Sequence, residues 1–95
     1  MNIKLLKLTS GEEIVAGVEE REEKLALTNA VTFMPTHEGM AMVPWLMIAD
    51  DESLPIEINR MHVMWEGKPH DDIVNAYNSK FGSGIVVPEK GNIIV

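Results

Sequence analysis

The first thirty residues divide their apolar content into short pieces separated by turn chemistry, and this constrains the fold more than anything else in the chain. Residues 3 to 8, Ile-Lys-Leu-Leu-Lys-Leu, suit a strand, although their alternation is imperfect. Thr9-Ser10-Gly11-Glu12 follows, with small hydroxyl residues and a glycine free to take positive φ. Ile14, Val15 and Val18 are β-formers, so Glu13 to Val18 reads as a second strand. Gly17 inside it permits a sharp bend or a close backbone approach. Glu19-Glu20-Arg21-Glu22-Glu23-Lys24 has enough helix propensity for a helix, but strand-like segments flank it closely and favour a solvated hairpin loop. Leu25, Leu27 and Ala30 to Met34 form a third, longer strand, with Asn29 at an irregularity and Pro35 as its stop.

The second half continues in the same manner until one helix appears. Thr36-His37-Glu38-Gly39 is a polar loop, and Met40 to Ile48 is apolar around Pro44-Trp45. Pro44 has no amide hydrogen and belongs at an edge or a bulge. Asp50-Asp51-Glu52-Ser53 reads as a turn. Ile56 and Ile58 share one face of a strand that Asn59-Arg60 interrupts, and His62 to Trp65 resumes it with Val63 and Trp65 on one face. Pro69 and Asp71-Asp72 suit a helix start. Ile73, Tyr77 and Phe81 make one apolar stripe, Lys80 lies in the last turn and Gly82 is a natural cap, so the spacing predicts a helix over 70–81. Ile85-Val86-Val87 is a short apolar strand or docking segment. Pro88 to Asn92 is a turn, and Ile93-Ile94-Val95 is apolar again.

Ninety-five residues make one domain, 1–95, with a barrel over about 1–67 and a helix with tail over about 68–95. A domain this short buries a modest core and gains from self-assembly. Fifteen Asp and Glu against eight Lys and Arg give a net charge of -7, which opposes diffuse binding to phosphate. Any nucleic-acid site must therefore be concentrated. The absence of cysteine removes disulfides and thiolate metal sites. No apolar run approaches the roughly 18 residues that cross a bilayer, and Lys4 and Lys7 interrupt the only N-terminal apolar stretch. The expectation is a soluble cytoplasmic protein.

These segments resemble the first motif of the Sm and Sm-like family: apolar strand, polar turn with Gly, strand containing Gly, charged loop, then Leu-x-Leu and a small residue. Here it runs Leu5-Leu6-Lys7-Leu8-Thr9-Ser10-Gly11-Glu12-Glu13-Ile14-Val15-Ala16-Gly17-Val18 and continues as Leu25-Ala26-Leu27-Thr28-Asn29-Ala30. Ile58-Asn59-Arg60-Met61-His62-Val63-Met64-Trp65 is similar to the second motif, as is Lys90 to Val95; the earlier match directly completes five strands before the helix. Pro44-Trp45-Leu46, Asn75-Ala76-Tyr77-Asn78 and Phe81-Gly82-Ser83-Gly84-Ile85-Val86-Val87-Pro88 resemble small Sm-like proteins of tailed phages, marine cyanophages among them. The resemblance implies a mostly β fold: a strongly bent, five-stranded, SH3-like small barrel with one short C-terminal helix. It also implies a homo-oligomeric ring that binds single-stranded RNA, or DNA, near a central pore and serves RNA or DNA processing, in the host cytoplasm if phage-encoded. Lys24 stands where the family has a base-reading Asn, the family's Asp has no counterpart, and Met61 follows Arg60 where the family has Gly.

The nucleic-acid candidates are Arg60, His62, Asn59, Lys24 and Arg21. Arg60 and His62 suit stacking on a base or holding a phosphate; equally, Arg60 pairs with Glu57 or a neighbour and His62 is a half-exposed strand residue. Arg21 and Lys24 reach phosphate from each subunit of a ring, or lie in a self-neutralised loop among four Glu. Trp45, Trp65 and Tyr77 read as core or interface anchors before stacking platforms. Asp50 to Glu52 and His70 to Asp72 lack the periodicity of a calcium loop, and no His pair has zinc spacing, so no metal or cofactor is expected. No nucleophile elbow, phosphate loop or dinucleotide fingerprint is present, so no catalytic residue is expected. Beside the nucleic-acid expectation stands a second one, from the charge of -7 and the departures at Lys24 and Met61: a non-catalytic assembly or adaptor ring subunit that binds proteins and no nucleic acid.

Overall fold

The computed structural model describes residues 2–50 and 55–82 and the backbone of 93–94. Six antiparallel strands form one sheet: β1 (Asn2–Leu8), β2 (Glu13–Glu20), β3 (Lys24–Thr36), β4 (Gly39–Pro44), β5 (Ile56–Asn59) and β6 (Val63–Gly67). A 3₁₀ turn, Arg60–His62, joins β5 to β6, and one helix, α1 (Asp71–Phe81), follows. A two-residue strand, β7 (Ile93–Ile94), pairs in parallel with Met40 and Ala41 of β4. The sheet order is β6-β1-β2-β3-β4-β7, with β5 also on β3. Among the described residues no helix is long and apolar enough to cross a membrane. The expected Asp51–Ser53 turn and the segments over 83–92 lie outside the described residues, as does Val95.

Six strands precede the helix where five were expected. β4 pairs with Val31 to Thr36 of β3, and β5 pairs with Lys24 to Leu27 on the same edge. They lie in line along one partner, with β4 ending at Pro44 and β5 starting at Ile56. The sheet is not closed, because β5 and β6 follow one another without pairing. It is nevertheless wrapped. Ile56 and Ile58 from β5 and Val63 from β6 pack on the same cluster of Leu6, Leu8, Ile14, Ala16, Val18, Leu25, Leu27 and Ala30.

A second core lies on the outer face. Val15, Val31 and Tyr77 are buried there, with Ile3, Leu5, Phe33, Met42, Ile73 and Phe81 packed around them. This explains the imperfect alternation of β1: Leu6 and Leu8 face the inner core, and Ile3 and Leu5 face the helix. The stripe Ile73, Tyr77, Phe81 is the contact face of α1. The helix carries Asp71 and Asp72 in its first turn and Lys80 in its last, and ends on Gly82 at φ 63, whose N–H donates to the Asn78 carbonyl at 2.7 Å.

The helix docks on a defect. Val15 pairs with Val31, but Gly17 pairs with Thr28, so β3 uses three residues where β2 uses two. Asn29 takes φ 53 at this bulge, the irregularity expected there. The Gly17 N–H donates to Tyr77 Oη at 3.1 Å, and Tyr77 Oη donates to the Thr28 carbonyl at 3.0 Å.

Two expectations need correction. Pro35 does not stop β3, which runs to Thr36. The Trp45 N–H donates to the Ala30 carbonyl, and Val31 lies opposite Pro44, so the even-numbered residues of β3 face β4. The missing amide hydrogen of Pro35 therefore falls on the opposite edge, where no ladder needs it. Val63 and Trp65 do not share a face. Leu8 pairs with Val63 and Lys7 with Trp65, so β6 has a bulge at Met64. Val63 turns inward, and Trp65 lies outside with 56% of its surface exposed. A side chain at Gly67 would collide with the tip of the Trp65 indole, which lies along the strand there.

The Tyr77→Phe variant leaves the Gly17 N–H and Thr28 C=O without their partner, and should lose about 1–3 kcal/mol in urea unfolding. Burial raises the Tyr77 pKa above its ordinary 10.0, against a smaller lowering by the Gly17 N–H. A raised folded value means that this contribution is complete below pH 10.0 and is lost as pH rises through the folded pKa. Tyr77 is the single tyrosine, so tyrosinate absorbance reports it alone. Its titration should fall above that of the unfolded chain, and Tyr77→Phe should remove this part of the alkaline loss of stability.

Candidate nucleic-acid interface

Four of the five candidate residues meet at one end of the sheet. Lys24 opens β3 directly opposite Asn59 at the end of β5, and the 3₁₀ turn carries Arg60 against the β2–β3 turn that holds Arg21. The Arg60 N–H donates to the Glu23 carbonyl at 3.0 Å. His62 is separated from this group by the 3₁₀ turn. Its carbonyl accepts from the Thr9 N–H at 2.8 Å, which ties it to the β1–β2 turn, while its side chain is exposed.

The guanidinium groups at this end are occupied by the protein itself. Arg60 Nε donates to the Arg21 and Glu22 carbonyls at 3.2 and 3.1 Å, and Nη2 donates to the Arg21 carbonyl at 3.0 Å. Nη1 bonds Glu20 at 3.1 Å. Arg60 thus clamps the hairpin turn from one side, using the planar fork that suits several fixed acceptors. Arg21 reaches across to Glu57 at 2.7 Å and lies 3.8 Å from Glu19. The Asn59 side chain accepts from the Met61 N–H at 3.1 Å and caps the 3₁₀ turn. Lys24 and His62 make no side-chain ion pair or hydrogen bond among the described residues. Glu19, Glu20, Glu22, Glu23 and Glu57 surround three cations, so this end is acidic as built.

The other candidates resolve as follows. Tyr77 is a core residue. Trp45 packs partly buried on the inner cluster, with Nε1 donating to Glu12 Oε2 at 3.1 Å. Ser10 Oγ donates to Glu12 Oε1 at 3.0 Å. Among the described residues no group of three His, Asp or Glu has the arrangement of a metal site.

Sequence reasoning missed an apolar strip. Met61, Met64 and Trp65 are 72%, 66% and 56% exposed along the 3₁₀ turn and β6, whose outer edge has no strand partner among the described residues. The cause is the bulge at Met64, which sends Trp65 out of the core side. No residue type marks that bulge in the sequence. Leu46, Met47 and Ile48, just beyond Pro44, form a second exposed apolar group.

No protein-family model matches the chain, and no curated protein matches it.

Both Arg60→Ala and Arg60→Lys should speed hydrogen exchange at the Arg21 amide, which closes the turn onto the Lys24 carbonyl at 3.0 Å. Lysine fails as a replacement because a single ammonium cannot serve the spread acceptors of the fork. The loss of global stability should stay within about 1 kcal/mol, since the pair with Glu20 is solvent-exposed.

Proposed function

We propose that the chain is a non-catalytic, self-assembling ring subunit of Sm-like type that joins its neighbours through the free edge of β6. The observation that carries this reading is the coincidence of Met61, Met64 and Trp65 with a strand edge that has no partner among the described residues. An exposed edge with large apolar side chains is a template for another chain unless something covers it. Ring closure covers it when the β6 edge of each copy meets a different surface of the next, a head-to-tail contact that repeats until the ring closes. The Sm-like reading draws support from topology. If β4 and β5 are counted as one interrupted strand, five strands run in the order β6-β1-β2-β3-β4/β5, with a 3₁₀ turn before the last.

The electrostatics favour assembly over nucleic acid as the primary role, because Arg21 and Arg60 are already paired with glutamates. A second reading, single-stranded RNA or DNA bound at the Lys24–Arg60 end, is favoured by the convergence of Arg21, Lys24, Asn59 and Arg60 there. A ring multiplies Lys24 by the number of subunits.

Light scattering should find an oligomer for the native chain and a monomer for the Met64→Glu, Trp65→Glu double variant, with unchanged circular dichroism. A native chain that stays monomeric at high concentration sinks the ring. For the second reading, labelled RNA and DNA oligomers are titrated against salt. Binding that weakens with salt and is lost in Lys24→Ala supports it; no binding at low salt removes it and leaves the assembly role.

A further inference from the structure

The β2–β3 ladder ends before either strand does. Val15 pairs with Val31, and the next hydrogen-bonded pair would be Glu13 with Phe33, but these two are not paired. β2 still reaches back to Glu13 against β1, and β3 runs on to Thr36 against β4. The strands diverge, and a cleft of about 510 Å³ opens between them, lined by Leu5, Val15, Phe33 and Ile73 with Glu12 and Glu13 on one side. The two sides of the divergence are bridged. From the inner face Trp45, on the β4 side, donates its indole N–H to Glu12 on the β2 side at 3.1 Å.

Backbone directions follow from register. Even residues of β3 face β4, so the N–H and C=O of Phe33 point toward the cleft. The Glu12 carbonyl accepts from the Leu8 N–H, so the even residues of β2 face β1 and Glu13 presents its own N–H and C=O to the same cleft. Two strand edges and an apolar lining therefore face one space. The Pro35 ring removes the next donor along β3, which limits pairing to a few residues and blunts edge-to-edge pairing with a second copy.

We propose that this cleft takes a short extended peptide segment of a partner protein, in which apolar side chains alternate with Lys or Arg. Its backbone exchanges hydrogen bonds with Phe33 in the manner of strand addition. Its apolar side chains enter the space lined by Leu5, Val15, Phe33 and Ile73, and its basic side chains meet Glu13, whose exposed carboxylate has Lys7 at 3.7 Å and can exchange that long pair for a closer one. The net charge of -7 favours such a partner over an acidic one.

The test uses the isotope-labelled full chain and two end-blocked synthetic probes, Lys-Val-Lys-Val-Lys and Glu-Val-Glu-Val-Glu. The basic probe should shift the Phe33 amide resonance and slow its hydrogen exchange. The acidic probe should bind at least about tenfold more weakly, and Glu13→Lys should narrow or invert that preference. Equal binding of the two probes, or no change at Phe33 with either, overturns the proposal. So does a Phe33 amide already protected in the free protein, which would mean that a second copy or the chain's own C-terminal residues occupy the edge. If Glu13→Lys does not fold, the native amide measurement still decides. Repeating the titration on the Met64→Glu, Trp65→Glu variant separates this cleft from the β6 edge, because binding should survive there.

Discussion

A bulge inside a sheet that is covered on both faces leaves backbone groups where water does not reach them, and here one phenol hydroxyl satisfies two of them. Tyr77 accepts from Gly17 and donates to Thr28 across the point where β2 and β3 fall out of step. An unmet buried donor or acceptor costs about 1–3 kcal/mol, a large share of what a domain this small has to spare. The position of α1 follows, since its tyrosine must sit over Gly17. The outer core follows in turn, because Ile73 and Phe81 are carried to the sheet with it. So does the chemistry of β1, which must be apolar on both sides.

The polar end of the fold is organised by arginine used inwardly. Arg60 spends its donors on two carbonyls and one glutamate of the β2–β3 turn, and Arg21 is held by Glu57. These contacts order a turn that its own run of like charges would otherwise loosen. They also take the guanidinium groups out of competition for phosphate. Next to them Met61, Met64 and Trp65 are exposed, beside a strand edge with no partner among the described residues. A surface that is acidic elsewhere repels indiscriminate contact.

Much of this architecture was legible in the sequence. The turn at Thr9 to Glu12, the hairpin at the charged run, the irregularity at Asn29 and the helix ending on Gly82 all follow from local backbone chemistry, and the structure has each of them. The interruption at Arg60 is a 3₁₀ turn capped by Asn59. What was not legible depended on pairing across the sheet. Whether Pro35 ends a strand is decided by which edge its nitrogen faces, and that is a property of register with β4. Whether Val63 and Trp65 share a face is decided by a bulge against β1. The partners of the Arg60 side chain are 38 to 40 positions away in the chain, and two of them are carbonyls of no particular residue type. The candidate residues were found by type, and their convergence is real, but the sequence carried no sign that their charge is consumed.

The division of β4 from β5 has a further consequence. Each half is registered independently on β3, one against Val31 to Thr36 and the other against Lys24 to Leu27. Alignment of each half is carried by its own pairs on β3, and Trp45 is anchored just after the first of them. Loop closure grows only slowly more costly with length. Residues beyond Trp45 are therefore a natural graft point, where whole recognition elements could be exchanged between versions of this domain without disturbing the sheet that carries them.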